Sequence, residues 1–273
     1  MRDTYRPGTG LERLRLVTED GVRLSGLHLP GRPGAVGDQD GKPDLAFVVA
    51  HGFTCSIRRP VFRAICDRLS AFGAVVACDF RGHGDSGGRS TVGAEEVLDV
   101  RAAVRWARER YPRVATVGFS MGGSVVLRHA ALYRGGDGVD AVASISAPSR
   151  WYVLDTPPMR RVHWLCETAL GRATARLMGT RLAGSWQRPP ASPVELVDRI
   201  PPIPLLLVHG DRDGYFTLEH PRALAAAAGA GTELWVEPGF GHAESAATPD
   251  LLDRIGGWLA SSARHGASGT ILL

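Results

Sequence analysis

The sequence predicts an α/β fold, a mostly parallel eight-stranded sheet with helices on both faces. Three observations carry that expectation. From Leu45 onward, short apolar runs alternate with helix-length amphipathic stretches, the pattern of βα units. Those runs are continuous Val, Leu, Ile and Ala rather than alternating, as strands covered on both faces require. The 273 residues, 44% hydrophobic and 22% charged, suffice for one large α/β domain or two small ones and exclude a stapled mini-protein.

The chain opens with two alternating strands, Leu11 to Val17 and Val22 to Leu29. The turn between them, Glu19-Asp20-Gly21, has a Gly that tolerates φ > 0, so the pair reads as an antiparallel edge hairpin. Gly31 to Asp44, rich in Gly, Pro and Asp, reads as a solvated loop. The remaining strands are expected at Leu45 to Ala50, Ala74 to Cys78, Val114 to Val117, Ala141 to Ile145, Leu205 to Val208 and Glu233 to Val236. Between them, Val61 to Phe72 follows Pro60, a favourable first-turn residue, and stops at Gly73. Ala94 to Tyr111 ends at Pro112 and sets Val97, Val100, Val104 and Ala107 on one face against Glu95, Glu96, Arg101, Arg105 and Arg108 on the other. Met121 to Tyr133, Pro221 to Ala228 and Leu251 to Ser261 complete the crossovers.

One interval breaks the rhythm. Pro148 to Ile200, about fifty residues, is far longer than a simple crossover needs and reads as an insertion with its own structure. Residues 1–147 and 201–273 are therefore expected to form the core domain, and 148–200 a small helical insertion. It holds two helix-like pieces, Arg161 to Leu170 and Arg172 to Leu182, flanked by Pro157-Pro158 and Pro189-Pro190. Eight Arg face four carboxylates there, an excess equal to the chain's whole net charge of +4.

That charge comes almost entirely from Arg, with Lys42 the sole lysine. No block of five like charges and no basic stretch interleaved with aromatics is present, which argues against a nucleic-acid partner. Cys55, Cys66, Cys78 and Cys166 show neither C-x-x-C spacing nor a metal-ligand pairing with His, and Met1 to Gly10 has no apolar leader core. A reducing cytoplasm is the expected home. The apolar runs fall far short of the roughly 18 residues a membrane helix needs, so no span is expected.

The sharpest chemical signal is Gly118-Phe119-Ser120-Met121-Gly122-Gly123, where a strand ends and a helix begins. A tight strand-to-helix turn lifts one hydroxyl above the sheet and needs small flanking residues, which Gly118 and Gly122 supply for Ser120. The N–H of Met121 then lies at a helix N-terminus, suited to a developing oxyanion. A serine hydroxyl needs a base, and the base needs a group that fixes its tautomer. His209-Gly210-Asp211-Arg212-Asp213 puts two carboxylates after one strand, and Gly239-Phe240-Gly241-His242 puts an imidazole after the last. Both follow Ser120, and both fall at the sheet edge where ligands gather.

With His51-Gly52-Phe53 and Asp79-Phe80-Arg81-Gly82-His83-Gly84-Asp85-Ser86, these ordered motifs resemble the α/β-hydrolase superfamily over nearly the whole chain. The closest likeness is to its esterase, monoacylglycerol-lipase and serine-aminopeptidase-like branch. The resemblance implies an α/β-hydrolase fold with Ser120 as nucleophile, His242 as base and then acid, and Asp213 rather than Asp211 orienting the imidazole. It implies oxyanion donors at the N–H groups of Phe53 and Met121. His51, His83, His129 and His163 are expected to be structural. The insertion resembles the superfamily's cap, which selects substrates, so Trp151, Met159, His163, Trp164 and Leu165 are expected to line an apolar acyl slot. The Arg surplus suits a carboxylate- or phosphate-bearing group. The implied reaction is acyl transfer from a small-molecule ester to water, with no metal or organic cofactor. Thioesters of coenzyme A or a carrier protein, amides, and a non-catalytic binding role are the alternatives.

Overall fold

The computed structural model describes residues 10–35 and 43–265. Lys42, nearly all of Met1 to Gly10 and the middle of the Gly31 to Asp44 loop lie outside the described residues. Eight strands form one sheet: β1 (Glu12–Val17), β2 (Arg23–Leu29), β3 (Leu45–Ala50), β4 (Ala74–Cys78), β5 (Arg113–Phe119), β6 (Ala141–Ile145), β7 (Leu205–Gly210) and β8 (Thr232–Glu237). Their spatial order is β1-β2-β4-β3-β5-β6-β7-β8. β2 runs antiparallel to both β1 and β4, and every pairing from β4 through β8 is parallel.

The helices are α1 (Pro60–Leu69), α2 (Glu96–Arg108), α3 (Met121–Leu132), α4 (Pro157–Glu167), α5 (Ala169–Leu177), α6 (Glu219–Ala228), α7 (Ala243–Ala246) and α8 (Pro249–His265). Alternate residues of the buried strands feed two separate cores. Ala46, Val48 and Ala50 of β3 join Val100 and Val104 of α2 and Val125 of α3 on one face. Leu45, Phe47 and Val49 join Phe62 and Ile65 of α1 and Ile255 and Leu259 of α8 on the other. Strands β3 to β7 are fully buried, as continuous apolar runs require. β8 departs from that pattern because it is the sheet's edge, and its residues are half-buried or exposed.

Two helix boundaries correct the periodicity. α4 begins at Pro157 rather than Arg161, and α5 at Ala169 rather than Arg172. Thr156 and Thr168 account for the offset: their side chains accept from the N–H groups of Met159 and Gly171, so each caps a helix N-terminus. Pro157 and Pro158 thus open α4, where a missing N–H costs nothing, instead of flanking it. α1 likewise begins on Pro60 itself. The return leg of this segment is stitched to the loop after β4, with Ser90 N–H donating to Arg181 O (2.8 Å) and Ala183 N–H to Ser90 O (2.8 Å). No described helix is long and apolar enough to cross a membrane.

The topology fixes where a site can form. β3 lies between β4 and β5; the helix after β3 leaves on one face and the helix after β5 on the other. A crevice opens at the carboxyl ends of such a strand pair. The segments leaving those ends are His51-Gly52-Phe53 and Ser120.

Candidate active site

Ser120 sits between β5 and α3 with φ 51° and ψ −115°, a backbone conformation that side chains rarely adopt. The turn holds because Gly118 and Gly122, two residues to either side, carry no side chain. A Cβ on Gly118 would lie 2.2 Å from Gly122 O, and one on Gly122 would lie 2.4 Å from Ala50 O. Both glycines thus permit the close approach of α3 to the ends of β3 and β5. Ser120 N–H donates to Ile145 O (2.8 Å), tying the turn to β6.

His242 follows β8, and its Nε2 lies 2.9 Å from Ser120 Oγ. Its Nδ1 lies 2.7 Å from Oδ2 of Asp213, whose side chain is fully buried after β7. Asp213 Oδ1 accepts from the N–H groups of Tyr215 (2.8 Å) and Phe216 (3.1 Å). Burial pushes the Asp213 carboxyl up, but the hydrogen bond and charge of His242 and those two N–H groups outweigh it, leaving the carboxyl below its usual range. Asp211 is elsewhere, accepting from Gly239 N–H (2.7 Å) to brace the loop that carries the imidazole. Tyr215 stacks on the His242 ring at 4.2 Å, and Ser146 Oγ accepts from Ala243 N–H (3.1 Å), so the imidazole is held from both sides of its chain.

On the other wall, Met121 is the first residue of α3, so its N–H has no partner within the helix. It lines one cavity with Phe53, Ser120 and His242. His51 is buried, and burial drops its imidazole to about 4 despite the bond to Gly52 O. The neutral ring accepts from Phe80 N–H at Nε2 (3.0 Å), which leaves Nδ1–H to donate to Gly52 O (2.8 Å). His83 is held at about 4 and His129 at about 3 by burial, and His163 pairs with Glu167. In the Asp79 to Ser86 motif, Asp79 accepts from Ile57 N–H (2.7 Å) and Arg81 bonds Asp99, Asp20 and Glu95, so the motif braces the loop.

The cavity over Ser120 has a volume of about 320 Å³, and a second of about 260 Å³ adjoins it. Val92, Trp151, Met159 and Val162 line both, so α4 together with Val92 and Trp151 separates them. Leu165 lines the first and His163 the second. Trp164 corrects the expectation: it is 42% exposed and lines neither, because it projects from the α4 stripe opposite Met159 and Val162. Of the Arg surplus, Arg161 alone lines the cavity over Ser120. Arg150 pairs with Asp155 and Glu219, while Arg160, Arg172 and Arg181 donate to backbone carbonyls. Tyr215, Phe216 and Glu244 also line that cavity, and sequence reasoning passed over all three. Their only signal was adjacency to Asp213 and His242.

An open, mostly parallel sheet with a serine elbow at its switch point, an acid after β7 and an imidazole after β8 defines an α/β hydrolase. Residues 41–186, more than half of the chain, match the family described as serine aminopeptidase, S33, and the protein belongs to that family. No curated protein matches it. The Pyrococcus furiosus esterase Pf2001 is 25% identical, with 92% of this chain and 91% of that one covered at a TM-score of 0.70. The esterase domain of a Rhodothermus marinus protein is 26% identical, covering 93% and 98% at 0.61. XC6422 from Xanthomonas campestris, a serine hydrolase without a lid, shares the fold at 20% identity, 95% and 94% coverage and a TM-score of 0.57.

Proposed function

We propose that this hydrolase is a serine esterase that cleaves carboxylic esters of small or medium acyl substrates through an acyl-enzyme on Ser120. The observation that carries the reading is the continuous chain Asp213 Oδ2···Nδ1 His242 Nε2···Oγ Ser120, at 2.7 and 2.9 Å. His242 Nε2 takes the hydroxyl proton as Oγ attacks the carbonyl carbon. The tetrahedral oxyanion accepts from the N–H groups of Phe53 and Met121. His242 then returns the proton to the departing alkoxide, and the acyl group remains on Oγ. Water, deprotonated by the same Nε2, completes hydrolysis. Asp213 keeps the proton of neutral His242 on Nδ1 and stabilises the imidazolium. No step needs a metal or organic cofactor. Residues 148–200 act as the cap, with α4 laying Met159, Val162 and Leu165 against the acyl group.

The test is hydrolysis of p-nitrophenyl esters from acetyl to palmitoyl by wild type, Ser120→Ala and His242→Ala. Each variant should lower kcat by about four to six orders of magnitude while remaining folded, because the three residues act as a unit. Near-normal turnover in either would refute the assignment. The S33 serine aminopeptidase match supports one second reading, an amide substrate. The same acyl-enzyme chemistry would then extend to amino-acid p-nitroanilides, which an enzyme confined to esters leaves intact.

A further inference from the structure

The His242 loop reaches the oxyanion loop through a buried carboxylate that the mechanism above does not use. Glu244, two residues beyond His242, is 8% exposed, and its Oε1 accepts from Gly52 N–H at 2.5 Å. Gly52 leaves room for the carboxylate: a Cβ there would lie 3.1 Å from Oε2 and 3.2 Å from Oε1. On its other side Gly52 is held by His51, whose Nδ1 lies 2.8 Å from Gly52 O. In a trans peptide that carbonyl points opposite to the N–H of the next residue, Phe53. Fixing both polar groups of Gly52 therefore fixes the direction of the Phe53 N–H.

We propose that Glu244 is a positioning residue: with His51 it clamps Gly52 so that Phe53 N–H meets the developing oxyanion. The proposal rests on the acyl-transfer reading. The carboxylate touches no reacting atom; it acts through two peptide planes and links the loop of the base to the loop of the oxyanion donor. Its loss therefore affects the transition state more than substrate binding.

The experiment compares wild type, Glu244→Leu and Glu244→Gln on the fastest p-nitrophenyl ester, with inhibition by a trifluoromethyl ketone of matching chain length. That ketone adds Ser120 Oγ to its carbonyl carbon, and the resulting hemiketal oxyanion needs the same donors. Glu244→Leu should lower kcat about 10²-fold with KM within about threefold, and weaken the ketone in parallel. Glu244→Gln keeps a weaker acceptor for Gly52 N–H and should lose about three- to tenfold. Wild-type kcat in folded Glu244→Leu, or a fall in kcat that leaves ketone affinity unchanged, would overturn the proposal. Should the Leu variant not fold, Glu244→Gln decides, since a neutral amide accepts more weakly: kcat and ketone affinity falling together about three- to tenfold supports the clamp, and no change overturns it. Ser120→Ala separates the two readings. Turnover independent of Ser120 overturns both, and turnover that needs Ser120 but ignores Glu244 overturns the clamp alone.

Discussion

Asp211 and Asp213 lie two residues apart on one loop, and the backbone sends them to different tasks. Asp213 turns inward, is fully buried, and meets His242 Nδ1 and two N–H groups. Asp211 stays at the surface and bonds Gly239 N–H. Asp213→Asn should therefore cost about 10⁴ in kcat, because an amide favours the wrong imidazole tautomer. Asp211→Asn should cost less than about tenfold, since the amide oxygen still accepts from Gly239. Steady-state kinetics on both variants checks the order, and a reversed ranking would mean that Asp211 is the acid. The choice of Asp213 was legible only by resemblance to a family. Two carboxylates at one strand end look alike until the fold shows which is buried. Glu244 was illegible for a similar reason: its partner Gly52 is 192 residues away, and no local pattern marks that contact.

α4 works through two stripes. Pro158, Arg161 and Leu165 turn toward the cavity over Ser120, while His163, Cys166 and Glu167 turn toward the neighbouring cavity. Met159 and Val162 border both, and Met159 is buried. Met159→Ala should open a passage between them and shift the preferred p-nitrophenyl ester to a longer acyl chain, while acetyl ester turnover stays within about threefold. An unchanged chain-length optimum would show that the second cavity does not receive substrate. The elements of the sheet were readable because a strand buried on both faces has only one composition, as in β3 and β5. The helices of the insertion were readable in number but not in register. Their apolar faces are short, and what starts them is a threonine cap rather than a period. The elbow was readable because its constraint is local: Gly118 and Gly122 must be small wherever β5 turns into α3.

Across the whole molecule, several imidazoles are enclosed by the fold and kept neutral. Burial lowers His51, His83 and His220 to about 4 and His129 to about 3, from a solution value near 6.5. His51 and His220 use their ring nitrogens in hydrogen bonds, whereas neither nitrogen of His129 has a partner among the described residues. Between pH 6.5 and 4 the histidines of the unfolded chain therefore bind protons that those of the folded chain refuse, and their contribution to stability rises with pH over that window. The histidine contribution to stability should be full above about pH 6.5 and fall progressively toward pH 4, each fully linked histidine adding about 1.4 kcal/mol per pH unit to the slope. His129→Leu removes one such group and two unpaired nitrogens without touching the cavity over Ser120. Its urea-unfolding free energy should match or exceed that of wild type at pH 7 and decline less steeply by about one proton's slope between pH 6 and 4.5. Parallel slopes for the two proteins would mean that His129 protonates as readily in the folded chain as in the unfolded one, and that its burial on α3 is not a source of the fold's acid sensitivity.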